Sequence, residues 1–198
     1  MTPPLEIRES RRVRRARIVV APHRPVEVVV PPGTSAAWVD RFVDRHRAWI
    51  EQRRDALERL PSLGLQRPGV VWLAGRPLPS PAGDRERWYR DQARRALTDT
   101  ARREGSRLGL DGWKRIRIGD QRSRWGSCSA RGTLSFSWRL VMAPAWVADY
   151  VVVHELCHLR QMDHSPRFWR LLDEACPGRR RAQEWLRVHG PELLAHRP

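Results

Sequence analysis

The segment Tyr150-Val151-Val152-Val153-His154-Glu155-Leu156-Cys157-His158-Leu159 constrains this chain more than any other, because two histidines and a glutamate interrupt an otherwise apolar run. The run predicts a buried helix from about Ala145 to Gln161. Side chains four positions apart on a helix share one face, so His154 and His158 can both reach a single zinc ion at about 2.0–2.1 Å. Glu155 directly follows the first of them, where its carboxylate can deprotonate a metal-bound water. Burying these groups with nothing to engage them would be costly. The pattern therefore points to hydrolytic metal chemistry, with Glu155 as the catalytic base.

A catalytic zinc needs a third protein ligand and keeps one position open. His164 is the first candidate. It stands six residues after His158, beyond the expected helix end, and Ser165-Pro166 behind it reads as an N-cap followed by proline at the first helical position. That start makes His164 part of a corner facing back toward the first helix. Asp163, Asp173 and Glu174 are the alternatives. Cys157 lies off the shared metal face and reads as a small core residue, and Cys176 beside Pro177-Gly178 reads as a helix end.

The remaining chain reads as α+β. Leu5–Ser10, Ala16–Ala21 and Val26–Val30 look like short hairpin-linked strands. A single long helix should follow from Ala36, carrying Trp38, Phe42, Trp49, Ile50, Leu57 and Leu60 on one stripe and stopped by Pro61-Ser62-Leu63-Gly64. The Pro- and Gly-rich stretch between Leu63 and Gly83 marks a boundary, giving an N-terminal β-strand and helix lobe over residues 1–78 and a second domain over 79–198. A helix is expected over Asp84–Leu108, ended by Gly109. Lys114–Ile118 and Thr133–Trp138 alternate as strands around the polar loop Arg122–Ser129, and helices are expected over Pro166–Ala175 and Arg179–His189.

Charge leaves a second class of function open. The chain has 38 basic and 22 acidic residues, a net charge of +16, and a single lysine, Lys114, among the basic residues. Arg8, Arg11, Arg12, Arg14, Arg15 and Arg17 could dock nucleic acid, although arginine bias of coding origin would look the same. No apolar stretch is long enough to span a membrane, and the start Met1–Glu6 lacks a basic region followed by an apolar one, so a cytoplasmic location is expected. Cys128, Cys157 and Cys176 are odd in number and widely spaced, which suits a reducing compartment rather than a disulfide framework.

Several motifs together resemble the YgjP-like, SprT-related zinc metallopeptidases: Arg124-Trp125-Gly126-Ser127-Cys128-Ser129, Trp138-Arg139-Leu140, Ala143-Pro144, the segment Tyr150–Leu159, and His164-Ser165 with Phe168-Trp169. The resemblance covers nearly the whole chain, the N-terminal part more loosely. It implies a gluzincin-like or minimal zincin domain, with a mixed or antiparallel sheet over the active-site helix. His154, His158 and His164 would be the zinc ligands and Glu155 the general base. Asp163 departs from the asparagine expected before the third histidine. The related metzincin pattern fails, since Gln161 stands where it needs glycine and no methionine follows Met162.

In zincins an extended substrate pairs with the edge strand above the active-site helix, and Thr133–Trp138 is the strand expected there. Arg124, Trp125 and Arg139 are the candidate substrate-binding residues; the arginines could clamp an anion or an oxyanion, or Trp125 and Arg139 could simply brace the sheet. The leading expectation is zinc-dependent hydrolysis of peptide bonds. The alternatives are a phosphohydrolase acting on nucleoside triphosphates, and a nucleic-acid-associated protease of SprT type.

Overall fold

The computed structural model describes residues 5–21, 25–59, 62–65 and 67–198. The chain forms two compact units, Met1–Pro61 and Ser62–Pro198, so the division falls before the Pro- and Gly-rich stretch rather than at its far side.

In the first unit, β1 (Leu5–Glu9), β2 (Arg17–Val19) and β3 (Val26–Val30) form a sheet in the order β1-β3-β2. β1 runs parallel to β3 and β2 antiparallel, so only β2 and β3 pair as expected of a hairpin. Valine-rich β3 takes the centre because its side chains can be buried on both faces, whereas all of β1 is exposed. The expected single helix is two, α1 (Ala36–Arg45) and α2 (Arg47–Glu58). His46 causes the break: its Nδ1 donates to the Phe42 carbonyl at 2.8 Å, and its own N–H bonds Val43 O instead. Val39, Val43 and Ile50 pack on Val26, Val28 and Val30 as this unit's core. Leu60 and Pro61, expected at the helix end, lie outside the described residues.

The second unit opens with a hairpin, β4 (Val70–Leu73) and β5 (Arg76–Pro79). Its two-residue turn has positive φ at both Ala74 (50°) and Gly75 (77°), the twist such hairpins require. The turn's N–H groups bond Val141 O (2.8 Å) and Met142 O (3.0 Å), which ties the hairpin to this unit. Helix α3 (Arg85–Leu108) is capped by Asp84, whose Oδ1 accepts from Arg87 N, and ends at left-handed Gly109. Tyr89, Ala93, Leu97 and Ala101 are its buried stripe.

A sheet of β6 (Arg115–Gly119), β7 (Gly126–Cys128) and β8 (Thr133–Ser137) follows, then a 3-10 turn over Trp138–Met142 and helices α4 (Ala145–Cys157), α5 (Pro166–Ala175) and α6 (Arg179–Ala195). The strand order is β6-β8-β7, parallel between β6 and β8 and antiparallel between β7 and β8. Thr133–Ser137 is thus the central strand, not the edge, as fits a segment whose Leu134 and Phe136 are fully buried. The edges are β6 and β7, and β7, which contacts α4, is Gly126–Cys128, within the segment read as a loop. α4 is buried along most of its length, and Val152, Leu156 and Cys157 join Leu134, Phe136, Phe168 and Leu172 in the main core. Among the described residues no helix is long and apolar enough to cross a membrane.

Candidate metal centre and active site

α4 carries His154 and Glu155 in its last turn, with His158 as its C-cap. The chain then reverses, and Ser165-Pro166 starts α5 as the sequence predicts, leaving His164 in the corner. The result is one cluster: the nearest ligand atoms of His154, His158 and His164 all lie within 4.8 Å of one another. The Nε2 atoms of His154 and His164 are 3.1 Å apart. Phe168 of α5 stacks on the His158 ring at 4.5 Å, and Trp169 lies 5.5 Å from the His164 ring.

The nitrogen chemistry of the cluster suits a cation. His158 Nδ1 donates to the Gln161 carbonyl at 2.9 Å, which fixes the tautomer with a free lone pair on Nε2. Burial, with His158 and His164 as neighbours, pushes His154 down to about 4, so its imidazole is neutral near pH 7. The buried Nδ1 of His154 has no hydrogen-bond partner among the described residues. Three imidazoles whose ligand atoms lie within 4.8 Å of one another fit a borderline-soft metal such as zinc.

The other sequence candidates for a ligand lie outside the cluster. Asp163 accepts from Gln161 Nε2 (2.6 Å) and from Ser165 N (3.2 Å), and Asp173 pairs with Arg179. Glu174 is exposed and outside the cluster.

Glu155 is only 5% exposed and lies against β7. A Cβ built at Gly126 would stand 2.7 Å from both Cγ and Oε1 of Glu155, so only glycine lets the strand approach this closely. The Cys128 backbone N–H bonds the carboxylate. Burial pushes the Glu155 carboxyl up to about 7, against the opposing pull of the Arg124 charge and of that N–H. A carboxyl titrating near neutrality is suited to taking and returning a proton.

The substrate-binding candidates divide. Arg124 is exposed, and its charge acts on Glu155. Trp125 is half-buried against the core; its carbonyl accepts from Ser137 N (2.9 Å), and its ring sits 3.2 Å from where a Cβ on Gly190 of α6 would lie. Arg139 is 1% exposed, and this burial corrects its reading as a substrate clamp. Its guanidinium pairs with Asp120, donates to His196 O at 2.9 Å and lies 4.0 Å over the Trp138 ring. It braces the fold.

Sequence reasoning missed Gly126, the Cys128 N–H and the Gln161 carbonyl. The last two act through the backbone and leave no side-chain signal. A lone glycine amid polar residues carries only a weak one.

The family model for the YgjP-like metallopeptidase domain matches residues 14–82 and 81–189. No curated protein matches the sequence. Among solved structures, the chain is similar to the crystallised metallopeptidase zymogen of Pyrococcus abyssi abylysin, with 26% identity over 44% of this chain and 86% of that one and a TM-score of 0.40. Because the family model takes in most of the chain, on both sides of the histidine cluster, the protein belongs to the YgjP-like metallopeptidase family.

Proposed function

We propose that the protein is a zinc-dependent peptidase that hydrolyses peptide bonds in extended polypeptides. One observation carries this reading: three histidines converge within 4.8 Å beside a buried glutamate, on the elements the sequence motif designates. His154, His158 and His164 would hold the ion. Zinc bound there would supply Lewis acidity to the scissile carbonyl and to water.

The chain's own residues supply the rest. Glu155 takes the proton of the attacking water and returns it to the leaving amine, held for both transfers by Gly126 and the Cys128 N–H. Among the described residues β7 is paired only with β8, so its outer edge can accept an extended substrate as an added strand. Arg124, exposed next to that edge, is the cation available to steady the developing oxyanion. The nucleoside-triphosphate alternative would need arginines free to clamp an anion, and Arg139 is committed to Asp120 and His196.

The test compares wild type with Glu155→Gln on an unfolded polypeptide and on nucleoside triphosphates, with zinc content measured in both. The expected result is polypeptide cleavage by wild type alone, a loss of about 10²-fold or more in the variant, and equal zinc in the two. Cleavage that survives in zinc-loaded Glu155→Gln would remove the assignment.

A further inference from the structure

The N-terminal unit contains a cleft of about 610 Å³ that the peptidase reading does not use. Its volume falls within the roughly 300–1,000 Å³ of small-ligand sites. Arg14, Arg15, Thr34, Trp38 and Phe42 line it.

Two chemistries meet there. The first is uncompensated positive charge. Five of the seven residues from 11 to 17 are arginine and none is acidic. The ion pairs described in this unit are Arg8–Glu27, Arg47–Asp44 and Arg54–Glu58, and none involves Arg14 or Arg15, both of which are exposed. The second is an open aromatic face. Trp38 and Phe42, one turn apart on α1, stack at 4.9 Å with an interplanar angle of 15°, and Phe42 in turn meets His46 at 4.6 Å. Phe42 thus supports one side of the indole, while Trp38 remains 40% exposed at the cleft. The end of α1 adds little anion affinity, because Ser35 Oγ already accepts from Trp38 N.

A ligand that satisfies both walls needs a planar π face and an anionic group a few ångströms from it. A nucleotide has both. Stacking on an aromatic ring tolerates any base, and a guanidinium matches a phosphate with paired donors. An acidic peptide brings the charge without the planar face.

We propose that this cleft binds one nucleotide, with the base on Trp38 and the phosphate on Arg14 and Arg15. The nucleotide is either free or part of a single strand.

The experiment uses the full chain and the fluorescence anisotropy of a labelled oligothymidylate of about twelve nucleotides, across a salt series. Competitors are a nucleoside monophosphate, inorganic phosphate and poly-glutamate. Trp38→Ala should weaken binding at least about fivefold, in the range of one lost base stack. The Arg14→Ala/Arg15→Ala pair should weaken it at least about tenfold and flatten the log–log salt slope by about 0.7, one single-strand phosphate contact. Trp38→Phe keeps a ring and should stay within about twofold, which separates lost stacking from lost folding. Arg53→Ala/Arg54→Ala removes the same charge elsewhere in the unit and should cost less than about threefold.

Competition by the monophosphate supports a free nucleotide as ligand, and competition by oligonucleotide alone supports a single strand. The proposal is overturned by the absence of binding at low salt, by full affinity in Trp38→Ala, by equal losses in the two arginine pairs, or by poly-glutamate competing as well as the oligonucleotide.

Discussion

Gly126 is the surface on which Glu155 rests: any Cβ at that position would lie 2.7 Å from the carboxylate's Cγ and Oε1. Real Cβ atoms do not approach this closely, so Gly126→Ala must displace either β7 or the carboxylate. Displacements of about 1 Å in a catalytic group cost on the order of 10²-fold in rate. Gly126→Ala is therefore expected to lower kcat by roughly that factor while zinc content stays at the wild-type level, since the atoms nearest the added methyl group are those of Glu155 and not of the three histidines. Loss of zinc in this variant would place Gly126 in the metal site instead.

His164 is the clustered histidine that neither lies in α4 nor caps it, held by the corner before α5. His164→Ala is expected to weaken zinc retention during dialysis by at least tenfold. Zinc should also stabilise it less than wild type, because a ligand that binds only the folded chain stabilises by an amount set by its affinity, about 2.7 kcal/mol at one hundred times Kd. Asp163→Asn should retain zinc as wild type does, because Asp163 bonds Gln161 and Ser165. The two variants, compared by metal analysis and thermal melts with and without added zinc, separate the neighbours.

Trp125 is seated against Gly190, where a Cβ would meet its ring at 3.2 Å. Alanine requires the indole to yield by a few tenths of an ångström; leucine requires it to leave. Gly190→Leu is expected to destabilise by about 1–3 kcal/mol, the usual cost of overpacking, and Gly190→Ala by less. Urea denaturation of the zinc-loaded protein measures both.

The histidine cluster was legible because its signals are local: a four-residue helical spacing, and a Ser-Pro helix start that fixes where His164 falls. The same locality accounts for α3, with its Asp84 cap and its glycine stop. What could not be read depends on partners distant in sequence. Gly126-Ser127-Cys128 has no strand propensity of its own and becomes an edge strand because β8 offers it a partner. Arg139 looks like any surface arginine until the fold brings it Asp120 and, 57 residues further on, the His196 carbonyl. The break at His46 is a local event with no distinctive pattern, since a histidine inside an apolar stripe is ordinary until its ring takes the Phe42 carbonyl.

Arg139 also gives a pH dependence whose sign is fixed. Burial alone would raise the Asp120 carboxyl, but its bonds and charge contacts to Arg139 and Arg122 hold it below the usual carboxylate range. A carboxyl depressed in the folded state binds its proton more weakly there than in the unfolded chain. Its contribution is therefore complete above the unfolded value of about 3.9 and is lost as pH falls through the lower folded value. Asp120→Asn keeps an acceptor for Arg139 but removes the charge and its titration. At pH 7 it is expected to cost about 2 kcal/mol, as befits a hydrogen bond to a charged group. Between about pH 5 and pH 2 the gap between wild type and variant should close, with wild type losing more stability than Asp120→Asn. Urea midpoints taken across that range check this, and a gap that stays constant down to pH 2 would show that Asp120 does not titrate against Arg139.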